Sequence, residues 1–284
     1  MSIEIFTTIP GIRQAIGRER KRDRSVAVVP TMGALHAGHA SLIESARERG
    51  GLVVVSIFVN PLQFDQREDY ERYTRGLGRD AEVCEQSGAD MIFAPTVGEM
   101  YPHEQVSFVE VSGITEHFCG RSRPGHFRGV ATVVSKLFHI VEPDVAFFGE
   151  KDAQQLAVIQ RMVEDLDFPV EIAPAPTVRE LGGLAMSSRN ERLTPHQREV
   201  ASALFRALTE VRGAIEQRMT DGESVLSRGR GLLQHPEISV EYFDLADPAS
   251  MQPVQSISGP VRIMGAIRIG GTRLIDNMLA TART

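Results

Sequence analysis

The stretch that decides the fold is Pro30-Thr31-Met32-Gly33-Ala34-Leu35-His36-Ala37-Gly38-His39. It follows the apolar run Val26-Ala27-Val28-Val29 and precedes a helical pattern over 39–50, so it predicts a strand, a glycine-bearing turn and a helix. His36 and His39 share a face at the helix start, where free backbone N–H groups and the helix dipole favour a phosphate. The motif alone leaves a second interpretation open, in which the two imidazoles are an ordinary pair at a helix start.

Length and composition describe an ordinary globular protein. The 284 residues can bury a large core in one large domain or two, and 42% hydrophobic with 24% charged residues is typical of a soluble chain. The formal charge of −6 gives no overall attraction to nucleic acid, so we expect no nucleic-acid partner. The Arg-rich segment 18–24 could be a local basic patch, but its interleaved Glu19 and Asp23 favour a solvated helix end.

Cysteine usage and hydropathy bear on the compartment. Cys84 and Cys119 form neither a disulfide framework nor a metal-binding pattern, which indicates a reduced, cytoplasmic protein. No apolar run approaches the ~20 residues that span a bilayer. Residues 1–10 lack the charged-then-apolar order of a signal peptide, so we expect no membrane partner.

Strands and helices alternate through the first 175 residues. The runs that predict strands are 26–30, 52–59, 89–94, 144–149 and 170–173. The patterns that predict helices are 10–22, 39–50, 69–86, 130–141 and 154–167. This alternation, with near-continuous β-branched runs such as 52–59, predicts an α/β fold with a Rossmann-like doubly wound parallel sheet. Residues 106–111 alternate enough to form an edge strand.

The character of the sequence changes at Ala173-Pro174-Ala175-Pro176, which reads as a stiff linker. We therefore expect two domains, one built on the parallel sheet over 1–175 and a smaller C-terminal α+β domain over 176–284. A capping box at Thr194-Pro195-His196-Gln197 predicts the start of a long helix. The remaining predicted elements are a helix over 223–234 and strands over 239–245, 261–269 and 272–278.

Polar loops follow the predicted strands at their carboxyl ends, where open α/β sheets bind ligands. The loop 60–64 follows one strand, and Glu150-Lys151-Asp152 follows another. The loop 113–129 carries Arg and His side chains among glycines. It reads equally as a lid over an anionic ligand and as a solvated surface loop.

Four segments together resemble the pantoate–β-alanine ligases, a family of the HxGH nucleotidyltransferase type. They are His36-Ala37-Gly38-His39, Asn60-Pro61-Leu62-Gln63-Phe64, Gly149-Glu150-Lys151-Asp152-Ala153-Gln154-Gln155 and Met186-Ser187-Ser188-Arg189-Asn190. The resemblance extends to His126-Phe127-Arg128-Gly129-Val130, Thr177-Val178-Arg179-Glu180 and Arg273-Leu274-Ile275-Asp276-Asn277. The joint order and spacing of these segments carries the resemblance, since no single one is decisive.

The resemblance implies ATP-dependent condensation of (R)-pantoate with β-alanine to pantothenate, in coenzyme A biosynthesis. The carboxylate of pantoate would attack the α-phosphate of ATP, giving pantoyl adenylate and pyrophosphate. The amine of β-alanine would then give pantothenate and AMP. Such a reaction needs positioning and charge stabilisation but no protein nucleophile. The family also implies a homodimer formed through the N-terminal domain.

The resemblance further implies roles for individual residues. The catalytic set is His36, His39, Lys151 and Arg189, with His39 as the proton donor. The ATP site would comprise these four together with Met32, Gly33, Ala34, Leu35, Ala37, Gly38, Gly149, Glu150, Asp152, Val178, Met186, Ser187 and Ser188. Among them, Val178 and Met186 would contact adenine. Pantoate is expected at Gln63 and Gln155, and β-alanine at Gln63.

ATP implies Mg²⁺, which usually binds through phosphates and one or two carboxylates. The family places acidic residues just after a Tyr-Pro-Arg segment. Here Thr74 replaces that proline, and Asp80 remains as the candidate metal ligand. A second departure is Gly182, where the family usually has Asp, and it bears on the hinge of the loop that would close on the triphosphate.

Two other functions share parts of this pattern. Another HxGH adenylyltransferase would use the His pair but would have no use for Gln63 and Gln155. A non-catalytic nucleotide-binding relative would be expected to have lost Lys151, Arg189 or a His of the motif, and all are present. The sequence therefore favours the ligase.

Overall fold

The computed structural model describes residues 3–65 and 67–282, and these form two compact units. The first unit comprises the described residues up to Val111, Arg123–Glu150 and Val158–Pro176. The second comprises Ser112–Ser122, Lys151–Ala157 and the described residues from Thr177 onwards. Two segments that precede residue 176 thus group with the second unit, and the boundary between 175 and 176 stays a prediction.

Strands and helices of the described residues have the following bounds, each set numbered in chain order. The strands are β1 (Glu4–Phe6), β2 (Val26–Thr31), β3 (Leu52–Ile57), β4 (Met91–Phe93), β5 (Val145–Gly149), β6 (Glu171–Ala175), β7 (Ser239–Ala246), β8 (Val261–Ile269) and β9 (Thr272–Ala280). The helices are α1 (Ile9–Arg20), α2 (Ala37–Glu48), α3 (Arg67–Glu71), α4 (Leu77–Gln86), α5 (Val97–Met100), α6 (Phe118–Ser122), α7 (His126–Val141), α8 (Ala153–Asp165), α9 (Pro195–Ala201), α10 (Ala203–Glu216) and α11 (Gly222–Leu232). Short 3₁₀ helices lie at Pro61–Gln63, Glu150–Asp152 and Ser188–Arg192.

The first unit is built on a parallel sheet with strand order β1-β4-β3-β2-β5-β6. The second unit carries the antiparallel sheet β7-β8-β9. The predicted α/β class, with a doubly wound parallel sheet and a smaller α+β part, is confirmed. In the part of the chain that the structure describes, no helix is long and apolar enough to cross a membrane.

The predicted edge strand over 106–111 is wrong, because these residues, all of them described, form no strand. The edge of the parallel sheet beside β4 is formed by β1, a strand of three residues that is too short to be recognised from its sequence pattern. The segment instead contacts α7. The Val109 N–H donates to Thr132 Oγ1 (3.0 Å), and the Arg128 guanidinium lies 4.6 Å from the centre of the Phe108 ring.

The linker predicted at 173–176 is also wrong for most of its length. β6 continues through Pro174 to Ala175, with Pro174 opposite Phe148 of β5. Proline is tolerated here because β6 is the last strand of the sheet, where one side of the strand has no ladder to complete.

The strand order reverses at β2, which lies between β3 and β5. β2 pairs with β3 up to Thr31, but with β5 only at Ala27 and Val28. Pro30 has no N–H to donate, and the ladder with β5 has already ended before it. β2 and β5 therefore separate towards their carboxyl ends, and in doubly wound sheets such a switch point is where ligands bind.

The second unit has a core of its own around α10. Leu204, Leu208, Val211 and Ile215 recur at helical spacing and are fully or almost fully buried against the sheet. Burying one side chain of this size stabilises a fold by roughly 1.5–3 kcal/mol. Packing of α10 therefore determines which face of the sheet β7-β8-β9 is buried in the core of the second unit.

Gly129 lets α7 approach the 3₁₀ helix Pro61–Gln63 closely. A Cβ atom at position 129 would lie 2.3 Å from the Leu62 carbonyl oxygen and 2.7 Å from the Gln63 nitrogen. The Gly129 carbonyl accepts from Asn60 Nδ2 (3.0 Å). The contact between backbones therefore requires glycine, although glycine weakens a helix interior.

We predict that Gly129→Ala lowers the free energy of unfolding by about 1–3 kcal/mol, because the added methyl group has no room. Gly17→Ala is the matched control: Gly17 is also a helical glycine of the first unit, but nothing lies within 4 Å of its Cβ position. The control should gain roughly 0.5–1 kcal/mol from helix propensity. Urea unfolding of both variants measures the difference, and equal effects would contradict the packing argument.

Candidate active site

The turn between β2 and α2 is shaped by Thr31, Gly33 and Ala34. Thr31 Oγ1 donates to the Ser56 carbonyl (2.7 Å) and accepts from the Gly33 N–H (3.2 Å). Gly33 has a φ of +80° and Ala34 a φ of +51°, in the left-handed region that disfavours side chains. A Cβ atom at Gly33 would also come within 2.9 Å of Asp80 Oδ2, so this position requires glycine.

A buried carboxylate holds this turn from a distant part of the sequence. Asp80, in the first turn of α4, is only 2% exposed. Its Oδ2 accepts from the Ala34 N–H (3.1 Å) and its Oδ1 from the Leu35 N–H (2.8 Å). Both oxygens are thus committed to backbone amides. Asp80 is thus the acceptor that fixes the turn, and its assignment as a metal ligand stays a prediction.

The two imidazoles cap helix α2 through their Nδ1 atoms. The Gly38 N–H donates to His36 Nδ1 (3.1 Å), and the His36 N–H donates to His39 Nδ1 (3.3 Å). The ring centres lie 4.1 Å apart. A neutral imidazole that accepts at Nδ1 carries its proton at Nε2. The hydrogen-bond network therefore assigns both rings as Nε2–H donors.

These bonds change the expectation that the amides at this helix start are free. The N–H groups of Ala34 and Leu35 are taken by Asp80, and those of His36 and Gly38 by the imidazoles. An anion at this end of α2 would therefore be met by imidazole Nε2–H groups rather than by these four amides.

Gln63 is held in one orientation beside the turn. Its side chain is buried, Nε2 donates to Met32 Sδ (2.8 Å), and Oε1 accepts from Asn60 Nδ2 (3.2 Å). Because the donor and the acceptor of the amide both have a partner, the network fixes which end is which. Met32 and Gln63, two of the predicted site residues, are thus in direct contact.

Asn60 fixes the orientation of the Gln63 amide, because its own side chain is held by partners in the protein interior. It is 1% exposed, and its Oδ1 accepts from the Tyr101 hydroxyl (2.9 Å) and the Leu62 N–H (3.3 Å). Burial raises the pKa of Tyr101 well above its usual range, so the phenol keeps the proton that it donates. With Oδ1 accepting, Nδ2 is left to donate to Gln63 and Gly129.

Two side chains of the predicted cationic loop also support Gln63. His126 Nδ1 donates to the Gln63 carbonyl (2.8 Å), and Arg123 Nη2 donates to the same oxygen (3.2 Å). Arg123 is further paired with Asp65 (3.4 Å). Neither earlier interpretation of this loop, lid or solvated surface, describes these two residues, which are part of the fixed surroundings of Gln63.

Gly149 is the last residue of β5, the strand beside β2, and Glu150 follows it, so both lie at the same edge of the parallel sheet as the turn. A cavity of about 250 Å³ adjoins this edge, and Met32 and Gly33 form part of its wall. The lining residues at the ends of β3 and β4 are mostly apolar, and the segment 70–80 adds Tyr70, Arg75 and Asp80. A small, partly apolar ligand would fit this space.

Other predicted site residues belong to the second unit. Lys151 Nζ lies 3.7 Å from Asp152 Oδ1, and the lysine side chain is largely buried, 18% exposed. Gln155 lies near the start of α8, next to Gln154, whose buried amide bonds to the backbone of the segment 114–119. The start of α8 is thereby tied to a neighbouring segment of the same unit.

The remaining predicted residues lie on one hairpin and the 3₁₀ turn that follows it. The Met186 N–H donates to the Val178 carbonyl (2.9 Å), so the two predicted adenine contacts are adjacent. Ser187 caps the next 3₁₀ helix by accepting from the Arg189 N–H (3.3 Å), and Ser188 is the first residue of that helix. Val178 and Met186 are thus paired across the hairpin, and Ser187, Ser188 and Arg189 follow directly after it.

The described residues contain no group of three or more His, Cys, Asp and Glu side chains arranged to hold a metal. A Mg²⁺ ion that arrives with ATP would rely chiefly on phosphate oxygens.

Sequence reasoning assigned no role to Asn60, Tyr101 and His126. Asn60 and His126 stand in polar loops that the family resemblance also covers, but neither was singled out there, and Tyr101 stands in no such segment. A usable signal existed for Asn60, which directly follows an apolar strand and precedes a proline. Its burial and its contact with Tyr101, 41 positions away, depend on the tertiary fold.

We predict that Asp80→Asn loosens the β2–α2 turn, because an amide offers one acceptor where the carboxylate offers two. The free energy of unfolding should fall by roughly 1–3 kcal/mol, the cost of a buried unpaired group. Hydrogen exchange of the peptide spanning 32–36, followed by mass spectrometry, should accelerate. Asp69→Asn, an exposed position of α3, should change neither quantity; unchanged exchange in Asp80→Asn would refute the role of Asp80.

Comparison with known proteins places these features in one family. The family model described as pantoate-beta-alanine ligase matches residues 4–279. Pantothenate synthetase of Heliobacterium modesticaldum is 50% identical over 95% of this chain and 98% of its own length. The enzyme of Moorella thermoacetica is 47% identical over 98% of each chain.

Solved structures agree. The pantothenate synthetase of Thermus thermophilus superposes with a TM-score of 0.92 at 45% identity, covering 97% of this chain and 99% of that one. The ligase of Francisella tularensis, in complex with β-γ ATP and β-alanine, gives a TM-score of 0.79 at 33% identity, covering 98% and 97%. With the HxGH turn, the Gln63 network and the parallel sheet in place, the chain belongs to the pantoate–β-alanine ligase family.

Proposed function

We propose that this chain condenses (R)-pantoate with β-alanine at the expense of ATP, through an enzyme-bound pantoyl adenylate. A carboxylate oxygen of pantoate forms a bond to the α-phosphorus, and the bond from that phosphorus to pyrophosphate breaks. The neutral amine of β-alanine then attacks the acyl carbon, the bond to the AMP oxygen breaks, and the amine loses a proton. The products are pantothenate, AMP and pyrophosphate.

The observation that carries this proposal is the pair of fixed Nε2–H donors at the carboxyl end of β2. His36 and His39 contact the phosphates and offset the charge that develops on departing pyrophosphate. Because both rings use Nδ1 for the helix cap, they act as neutral donors and not as nucleophiles. Met32, Gly33, Ala34 and Leu35 with Ala37 and Gly38 line the nucleotide beside them.

The cations and the nucleoside contacts come from residues that follow β5 and from the 178–189 hairpin. Lys151 supplies a point charge to the phosphates, and Arg189 with Ser187 and Ser188 closes on the triphosphate. The adenosine contacts are Gly149, Glu150, Asp152, Val178 and Met186, with Asp152 accepting from ribose hydroxyls. The complex of the Francisella tularensis relative with β-γ ATP supports a nucleotide site in this family.

Gln63 and Gln155 bind pantoate, and Gln63 also borders β-alanine. A glutamine amide donates hydrogen bonds to a carboxylate without neutralising it, so the carboxylate remains nucleophilic. The fixed orientation of Gln63 supports this role, since an amide held by Asn60 and Met32 does not need to be ordered when substrate binds. The same Gln pair disfavours a simple nucleotidyltransferase.

ATP enters with a divalent cation, which we take to be Mg²⁺ held mainly by its phosphates. We further place the protein in the cytoplasm, as a homodimer formed through residues 1–175, with residues 176–284 closing over the bound nucleotide.

The test is isotope exchange. Purified protein with ATP and pantoate should exchange labelled pyrophosphate into ATP in the absence of β-alanine, because the adenylate forms reversibly on the enzyme. Omission of pantoate is the control and should abolish the exchange. AMP formation that requires β-alanine, without exchange, would contradict a separate adenylation step.

A second prediction separates the two roles of His39. Asparagine can accept the His36 N–H with its side-chain oxygen, but it has no donor at the position of Nε2. His39→Asn should therefore keep its stability within about 1 kcal/mol and lose roughly 10²–10³-fold in pyrophosphate exchange. His103→Asn, at an exposed position, is the control. Near-normal exchange in His39→Asn would remove His39 from the chemistry.

A further inference from the structure

The segment Arg273-Leu274-Ile275-Asp276-Asn277 has no role in the function proposed so far. It forms part of β9, yet Asp276 and Asn277 are both almost completely buried, 4% and 5% exposed. Two adjacent buried polar residues in the middle of a strand are unusual, because each needs partners on its own side of the sheet. Those partners belong to two different segments of the proposed ATP site.

Asn277 holds the backbone of Lys151. Its Nδ2 donates to the Lys151 carbonyl (2.9 Å), and its Oδ1 accepts from Arg262 Nη1 of β8 (2.6 Å). The bond from Arg262 fixes the amide with its nitrogen towards Lys151. Lys151 lies in a short 3₁₀ turn of three residues, so a bond to its carbonyl restrains the backbone from which the side chain extends.

Asp276 holds the hairpin that carries Val178 and Met186. Its two oxygens accept from Arg179 Nη1 (2.5 Å) and Nη2 (3.0 Å), and Arg179 also donates to the Gly183 carbonyl (3.0 Å). The guanidinium thereby joins β9 to the tip of the hairpin. It also lies over the ring of Phe205, 4.6 Å from the ring centre.

The two residues reach different segments because β9 is a strand. Successive side chains point to opposite faces of the sheet, so Asp276 shares the core face with Leu274 and Met278, while Asn277 shares the other face with Arg273. Arg273 in turn binds Glu241 and Ser122, within the same unit. Two adjacent residues of β9 thus restrain two segments that are separate in the sequence: the turn that carries Lys151 and the hairpin that carries Val178 and Met186.

We propose that Asn277 and Asp276 are positioning residues for adenylation: Asn277 places Lys151 at the phosphates, and Asp276 places the Val178–Met186 hairpin at adenine. This inference rests on the proposed function and goes beyond it, because neither residue touches a substrate. The two residues differ in the kinetic constant that they control. Lys151 acts on charge that develops in the transition state, whereas adenine is contacted equally before and during reaction.

The test uses isosteric variants and two partial reactions. Asn277→Asp replaces the donor to Lys151 with an acceptor, and its turnover number for pyrophosphate exchange should fall tenfold to a hundredfold, with the KM for ATP changed less than threefold. Such losses are typical of a displacement of about 1 Å at a reacting group. Asp276→Asn should raise the KM for ATP about tenfold and change the turnover number less than threefold.

The second partial reaction separates positioning from general damage to the fold. Amide formation from saturating pantoyl adenylate and β-alanine does not use the β- and γ-phosphates, so both variants should retain at least half of the wild-type maximal rate. Because the adenylate also carries adenine, Asp276→Asn should raise the KM for the adenylate, whereas Asn277→Asp should not. The matched controls are Asp244→Asn on β7 and the exposed Leu279→Ala on β9, which should match the wild type in both reactions.

The outcomes are distinct. Equal loss of both partial reactions, or loss of folding measured by thermal unfolding, would show a merely structural role and overturn the inference. Unchanged exchange in both variants would overturn it as well. Absence of pantoate-dependent exchange in the wild-type protein would overturn the proposed function itself, and the inference with it.

Discussion

The backbone amides of the β2–α2 turn impose the constraint on which the rest of the site depends. The chain leaves a central strand through left-handed residues Gly33 and Ala34, so the next N–H groups have no ladder or helix partner. A buried N–H without an acceptor costs about 1–3 kcal/mol. Asp80 satisfies two of them, and the imidazoles of the HxGH motif satisfy two more. Each imidazole thereby carries its proton on Nε2, so on the proposed mechanism the donors for phosphate follow from the need to cap a helix.

The side-chain amide of Gln63 obeys the same rule with neutral groups. Tyr101, Asn60 and Gln63 form a chain in which each donor has one available acceptor, and the amides are therefore oriented before any ligand arrives. No charged side chain takes part in this chain. On the proposed mechanism this matters, because a cation at the same place would stabilise the ground state of the attacking carboxylate.

Sequence predicted the parts of this structure that depend on local pattern. The parallel strands, the strand–turn–helix around His36 and the capping box at Thr194 are encoded within a few residues of each other. The failures have one cause, which is that the deciding partner is distant in sequence. Alternation over 106–111 arises in any extended segment with one face packed, and only the tertiary structure shows that β1 pairs with β4 while this segment packs on α7. The part that Asp80 plays in the turn was missed for the same reason, because the two amides that it accepts from are 45 and 46 positions away.

The proposed ATP contacts also depend on the register with which β9 pairs with β8. Asp276 and Asn277 stand opposite Gly265 and Met264 of β8, and a shift by one residue would send each side chain to the wrong face of the sheet. Gly265 fixes the position of β8 itself, because a Cβ atom there would lie 2.6 Å from Leu204 of α10. A glycine packed under a core helix thus holds the strand that pairs with Asp276 and Asn277. Packing of the hydrophobic core and placement of the proposed ATP contacts therefore both depend on the sheet β7-β8-β9.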